Sequence, residues 1–260
     1  MTSNAQRSVS KKEDPQPKIP KIIMQTWKNK DIPEKWKRSP KSIRCWMPTW
    51  KYVLMTDEDN RKFVERYFPD FLPYYDAFPY AIQRADAIRY CFLAIHGGIY
   101  MDLDMELLKP LDELFENDNE LYLVESGNIG GYITNSFMAS KPGCRIWYEM
   151  IEEMKKPLPK WAIGKHIQVM NSTGPIALNR VVKRSNIVYG ALPRSYISPC
   201  SVCDSVCNRP GAYIRPLEGS SWTSWDTQVY NFFLCKWRIL LIILGIVLIV
   251  WILSRGKERE

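Results

Sequence analysis

The chain has 260 residues, 46% hydrophobic and 25% charged, with a formal net charge of +8. That length and apolar content fit one globular domain with appendages and exclude a disordered or fibrous chain. The charge sits at the front, where residues 1–51 carry 13 Lys or Arg against 4 Asp or Glu; this suits an anionic membrane surface or a phosphorylated ligand, and no helix-turn-helix, zinc-finger, RRM or KH signature supports nucleic-acid binding.

Residues 1–18 are polar and basic, lack the apolar core of a signal peptide, and read as a disordered tail. The folded domain is expected over 19–231. Ile19 to Met24 reads as a strand, Pro33 to Cys45 as a helix, and Tyr52 to Met55 as a second strand. Thr56 is placed to cap a helix reaching Tyr67. Pro79 opens a longer helix with apolar positions at Ile82, Ala85, Ile88, Phe92 and Ile95, ended by Gly97. Ile99 to Met101, Leu121 to Val124 and Ser136 to Ala139 read as strands; Cys144 to Met154 and Pro175 to Arg184 read as helices. This alternation predicts an open, mostly parallel α/β sheet, with ligands at the carboxyl ends of its strands.

Ile239 to Leu253 is an uncharged run rich in Ile, Leu and Val, preceded by Phe232, Phe233 and Leu234. Lys236 and Arg238 can snorkel, and Trp237 and Trp251 suit the two interfaces. Residues 232–254 are therefore expected to form a single-pass transmembrane anchor, with 255–260 a charged tail. An anchor without a leader implies late insertion with the domain left in the cytosol, although basic residues on both flanks leave orientation open. Of the seven cysteines, Cys45, Cys91, Cys144 and Cys235 read as free thiols. Cys200, Cys203 and Cys207 lack a nearby fourth zinc ligand, so unpaired or locally disulfide-bonded cysteines are expected there.

The chemistry concentrates at Asp102-Leu103-Asp104, just past the third strand. Side chains two apart in an extended segment point to one side, so both carboxylates can meet one hard cation. Mg²⁺ and Mn²⁺ are commonly held by one or two carboxylates together with substrate phosphates. Asp86 and Arg89, three apart on the preceding helix, share a face and can pair.

The run Arg84-Ala85-Asp86-Ala87-Ile88-Arg89-Tyr90, then Leu93, Gly97-Gly98-Ile99-Tyr100 and Asp102-Leu103-Asp104, resembles glycosyltransferase family 32, the DXD-containing enzymes that include initiating α-1,6-mannosyltransferase and inositol-phosphoceramide mannosyltransferases of yeast. The likeness extends from Ile19 to about Asp226. It takes in Ile19-Pro20-Lys21-Ile22-Ile23-Met24-Gln25-Thr26-Trp27, Asn135 to Ser140, Thr173-Gly174-Pro175 and Gly219-Ser220-Ser221-Trp222 with Trp225 and Asp226. Met24 stands where the family usually has His, and a His near the closing motif is absent.

The resemblance implies a GT-A fold: a single Rossmann-like nucleotide-sugar-binding domain with a mixed sheet. It implies a metal-dependent hexosyltransferase, mannose favoured, that retains anomeric configuration and uses Mn²⁺ or Mg²⁺. The donor would be GDP-mannose or a UDP-hexose, the acceptor a glycan or glycolipid, and the setting a Golgi- or ER-type membrane. Asp104 would be the principal metal ligand and Asp102 a ligand or sugar contact. Asp86 and Arg89 would grip donor hydroxyls, and Trp27 would stack on the base. Ser221 and Trp222 would close on the diphosphate, with Gln25, Thr26 and Tyr100 completing the donor site. A membrane-anchored pseudoenzyme that binds nucleotide-sugar without turnover is the alternative. A haloacid-dehalogenase-type phosphatase also carries D-x-D after a strand, but Glu106 stands where that class has Thr or Val.

Overall fold

The computed structural model describes residues 19–126, 132–197, 200, 203, 210–219 and 221–257, apart from the side chains of 238, 240, 243, 248, 250 and 252–257. The tail expected over 1–18, together with Ser220, Cys207 and residues 258–260, lies outside the described residues.

The elements run β1 (Ile22–Thr26), α1 (Arg38–Trp46), β2 (Lys51–Met55), α2 (Asp57–Tyr67), α3 (Leu72–Ala77), α4 (Ala81–His96), β3 (Gly98–Met101) and β4 (Met105–Leu107). They continue with β5 (Leu121–Ser126), β6 (Tyr132–Ser140), α5 (Arg145–Met154), α6 (Lys165–Ser172), α7 (Pro175–Ser185), β7 (Gly190–Pro193), α8 (Arg194–Ile197), β8 (Ile214–Pro216) and α9 (Trp225–Lys257). A six-stranded sheet has the order β2-β1-β3-β6-β5-β7, and β4 pairs with β8 in a second, two-stranded sheet. Strands β1, β2 and β3 pair in parallel, as do β5 and β7; β6 runs antiparallel to both its neighbours. The sheet is therefore mostly parallel, as expected, and mixed through β6, the one strand of the six that runs against the others.

Strand periodicity sorts the core into two layers. Met24, Tyr100, Met138, Leu121 and Leu123 face one side, packed with residues of α2, α4, α5 and α7. Ile23, Ile99, Met101, Phe137, Ala139, Tyr122 and Val124 face the other, with Ile43 of α1 and with Met105, Leu107 and Ile214 of the small sheet. Helix α2 starts where predicted: Thr56 Oγ1 accepts from the Asp59 N–H, and the Asp59 carboxylate accepts from the Thr56 N–H. Helix α4 differs from its predicted one-sided pattern. Every residue from Asp86 to Ala94 is buried, so polar Asp86 and Arg89 lie inside the protein.

Gly97 and Gly98 let α4 turn directly into β3. Both have positive φ, 61° and 87°; a Cβ at Gly97 would come within 2.7 Å of the Ser140 carbonyl at the end of β6, and one at Gly98 within 2.6 Å of the Ile22 carbonyl of β1. This turn brings the end of β3 beside the middle of α4.

Cys203 and Cys235 form a disulfide, so Cys235 is not the free thiol its isolation in sequence suggested. Cys200 is also disulfide-bonded, whereas Cys45, Cys91 and Cys144 are free. The expected transmembrane span over 232–254 is not established by the structure: among the described residues no helix is long and apolar enough to cross a membrane. The helix covering that segment begins earlier, at Trp225, because Asp226 and Tyr230 are drawn onto α6.

Candidate active site

A cavity of about 450 Å³ opens at the carboxyl ends of β1 and β3. Nine of the ten residues predicted for the site line it: Thr26, Trp27, Asp86, Arg89, Tyr100, Asp102, Asp104, Ser221 and Trp222, with Gln25 the exception. Gln25 is fully buried beneath it. Its amide donates to Ser39 Oγ (2.8 Å) and to the Asp102 carbonyl (3.1 Å), and its oxygen accepts from Tyr52 (3.0 Å). Gln25 thus braces the Asp102 backbone and makes no wall of the cavity.

The floor is a sealed polar network. Arg89 is 4% exposed. Its guanidinium reaches Asp86 Oδ1 (2.8 Å), Asp102 Oδ1 (3.1 Å), the Asn135 carbonyl (2.8 Å) and the Ala85 carbonyl (3.3 Å), and lies over the Tyr100 ring. Asp86 also accepts from Thr173 Oγ1 (3.0 Å) and Asn135 Nδ2 (3.2 Å), while Tyr100 donates to Asp102 (2.6 Å). An exposed pair of this kind contributes little, but here both charges are buried and removing either partner is costly. Burial pushes the Asp86 carboxyl up to about 6, against the opposing pull of Arg89. Burial also works against charge on Arg89, yet Tyr100, Asp86 and Asp102 outweigh it and keep the guanidinium protonated.

The D-L-D run is the turn between β3 and β4, not an extended strand end. The alternation survives nonetheless: Leu103 is buried and both aspartates open to the cavity. Burial raises both carboxyls, and Asp102 adds repulsion at Asp104. Asp102 is already engaged by Arg89 and Tyr100; no other side chain among the described residues hydrogen-bonds the Asp104 carboxylate. Two crowded, half-desolvated carboxylates with a spare ligating face are a hard-oxygen donor set that fits Mg²⁺ or Mn²⁺ completed by substrate oxygens. Among the described residues no group of three or more His, Cys, Asp or Glu is arranged to hold a metal by itself.

The closing segment is held over this floor. The Leu217 N–H donates to the Asp104 carbonyl (2.6 Å), and Trp36 Nε1 donates to the Glu218 carbonyl (3.1 Å). Trp27 packs edge-on to Trp36 with centroids 5.0 Å apart. Thr26 bonds the Met55 carbonyl and accepts from Asn60, so its hydroxyl is committed to the fold.

Asp57, Tyr80, Asn135 and Lys165 also line the cavity, and sequence reasoning did not single them out. Asn135 stood in a recognised strand motif; the register shift between β5 and β6, where Leu123 pairs with Met138 and Val124 with Thr134, lets it reach Asp86 and Tyr90 of α4 although Phe137 and Ala139 face the other layer. Lys165 had no sequence signal, since α6 was not predicted.

Residues 33–121 match a family model described as the glycosyltransferase sugar-binding region containing DXD motif. Inositol phosphoceramide mannosyltransferase 3 of Schizosaccharomyces pombe is 34% identical over 85% of this chain and 60% of its own length. The initiation-specific α-1,6-mannosyltransferase of Candida albicans is 29% identical over 50% of this chain and 35% of its own. The chain thus spans less than two thirds of the length of either relative. Among solved structures, the PaToxG glycosyltransferase aligns with 66% of this chain and 71% of its own, at 19% identity and a TM-score of 0.49.

Proposed function

From a chain that belongs, through residues 33–121, to the glycosyltransferases whose sugar-binding region contains a DXD motif, we infer a hexosyltransferase of GT-A architecture. It moves a sugar, mannose favoured, from GDP-mannose or a UDP-hexose to a glycan or glycolipid acceptor. The observation that carries this reading is the convergence of Asp102 and Asp104 with Asp86, Arg89, Trp27 and Trp222 on one cavity.

Asp104 and Asp102 are the residues that would hold a divalent cation, which when bound supplies Lewis-acid neutralisation of the departing diphosphate. An ionised carboxylate offers about four lone-pair sites. Three donors, from Arg89, Thr173 and Asn135, reach Asp86, which leaves room for one donor-sugar hydroxyl. Arg89 keeps the floor charged and fixes Asp102 toward the cavity. Trp27 offers an apolar face for the nucleobase, and Ser221 and Trp222 cover the diphosphate. Among the described residues the carboxylates that line the cavity are Asp57, Asp86, Asp102 and Asp104; the DXD motif itself offers no separate nucleophile, and front-face displacement with retention is the course we favour. In that course the leaving phosphate takes the acceptor proton.

We place membrane contact on α9, where Phe232, Phe233, Ile239, Leu241, Ile242 and Leu244 are exposed apolar residues. The Cys203–Cys235 bond favours the domain facing an oxidising lumen of Golgi or ER type. The test is a donor-release assay across GDP- and UDP-sugars with and without Mn²⁺. The expected result is metal-dependent release that Asp102→Asn and Asp104→Asn remove. Nucleotide binding without release from any donor would identify a binding protein instead.

A further inference from the structure

Glycosyl transfer loads negative charge onto a departing diphosphate, so the cavity needs a positive group free to follow that charge. Three basic side chains line it: Lys28, Arg89 and Lys165. Arg89 is the obvious choice from sequence and the wrong one from geometry. Its guanidinium is buried, bonded to Asp86, Asp102 and two backbone carbonyls, and lies over Tyr100. Its charge is matched by two carboxylates and it cannot move without breaking the floor. Lys28 lies at the outer edge, exposed, with its ammonium 5.9 Å from the Trp27 ring centroid.

Lys165 differs from both. It is half-buried at the start of α6, and its Nζ donates to the Trp222 carbonyl at 2.7 Å. Its ammonium lies 5.8 Å from the Tyr80 ring centroid, and it makes no ion pair among the described residues. A lysine ammonium has three N–H donors, so two remain for the cavity. The backbone around it is fixed. Gly164 has φ 86°, and a Cβ there would meet the Asp226 carboxylate at 2.9 Å. That carboxylate accepts the His166 N–H at 2.8 Å, while the His166 ring stacks on Trp222. Because Asp226 occupies the start of α6, the helix terminus itself is not the anion-binding element. The unpaired ammonium is. It enters through the covering segment, whereas Asp102 and Asp104 belong to the β3–β4 turn.

We propose that Lys165 grips the leaving diphosphate, as a contact separate from the aspartate pair on the same cavity. The assignment rests on the nucleotide-sugar reading above.

The experiment uses the full chain with Lys165→Met and Lys165→Arg, and titrates GDP and UDP with Mn²⁺ present. Charged hydrogen bonds of this kind set the scale, so Lys165→Met should weaken the preferred nucleoside diphosphate about ten- to a hundredfold. Lys165→Arg should restore most of that loss. Retention of affinity within twofold in Lys165→Met overturns the role. So does an equal loss in both variants, since it would trace to packing and not to charge. If the parental protein binds neither GDP nor UDP, the nucleotide-sugar reading fails first and this assignment falls with it.

Discussion

Arg89→Met tests the central claim that the site floor is a buried charge network and not a surface pair. Methionine keeps much of the side-chain volume, so the principal loss is charge and hydrogen bonding. Asp86 would keep Thr173 and Asn135, and Asp102 would keep Tyr100, but neither would keep a counter-charge. Removing one partner of a buried pair costs about 3–5 kcal/mol, a large share of a typical domain's stability. The cost should depend on pH in a defined direction. With Arg89 present, burial holds Asp86 at about 6, above its unfolded value. Folding therefore takes up a proton, which favours the fold at low pH and is lost as pH rises through the folded pKa. Without Arg89 that folded value climbs further, so the variant goes on losing stability through Asp86 above pH 6, where the parent's own loss through Asp86 tapers off. The gap should widen by about 1–2 kcal/mol between pH 6 and pH 8, since one proton is worth about 1.4 kcal/mol per pH unit. Urea unfolding followed by tryptophan fluorescence at both pH values measures it. A loss under about 1 kcal/mol at pH 8, or a gap that narrows with pH, refutes the network.

Asp104→Asn should abolish metal-dependent donor turnover while raising the metal-free melting temperature by about 2–4 °C, because a carboxylate disfavoured by burial and by Asp102 is neutralised; a lower melting temperature contradicts this. Trp27→Ala should weaken donor binding by about 1–3 kcal/mol through lost base stacking, and an unchanged dissociation constant in a calorimetric titration removes Trp27 from the role. Glu153 is a structural counterpart. Burial would raise its carboxyl, but bonds from Lys156, Arg180 and Arg184 hold it down to about 2. Its contribution is complete above the unfolded value near 4.5 and is lost as pH falls toward 2. Glu153→Gln should cost on the order of 2 kcal/mol at pH 7 and flatten the acid limb of the stability curve; an unchanged acid limb would count against it.

Much of the site was legible because its residues sit close together in sequence. Asp86 and Arg89 lie on α4, Tyr100 on β3, and Asp102 and Asp104 in the turn after it, with only the Gly97-Gly98 turn between helix and strand, so local geometry alone brings them together. What periodicity could not give was their depth. Helix α4 is buried on all sides, and a polar pair inside it looks the same in sequence as one on a surface. Gln25 was misread for a related reason: its neighbours Thr26 and Trp27 reach the cavity, but Ser39, Tyr52 and the Asp102 carbonyl, all distant in sequence, take up its amide beneath the cavity. A mixed sheet was expected from the resemblance, but which strand reverses was not, because β6 reads as a strand in either direction. Lys165 depends on α6, an eight-residue helix without a predicted start signal, and on contacts to residues 222–230 far along the chain. The pairing of Cys203 with Cys235 likewise joins segments that sequence spacing kept apart.

The two layers of the cavity imply a division of labour. Asp86, Arg89, Asp102 and Asn135 of the floor each bond at least two others, so the floor presents a fixed pattern of acceptors and donors. Such rigidity suits discrimination between sugars, because a hydroxyl in the wrong place leaves a buried group unpaired. The upper layer is built differently. Among the described residues no side chain hydrogen-bonds the Asp104 carboxylate, Lys165 bonds one backbone carbonyl, and Trp222 belongs to a segment tied down by a few hydrogen bonds. Groups with spare valence can follow charge as it moves to the diphosphate. Asp102 joins the layers, since Arg89 and Tyr100 below aim the same carboxylate that stands beside Asp104 above. Substitutions in the floor should therefore change which sugar is accepted and how stable the protein is, whereas substitutions in the upper layer should change the rate and leave stability level or improved.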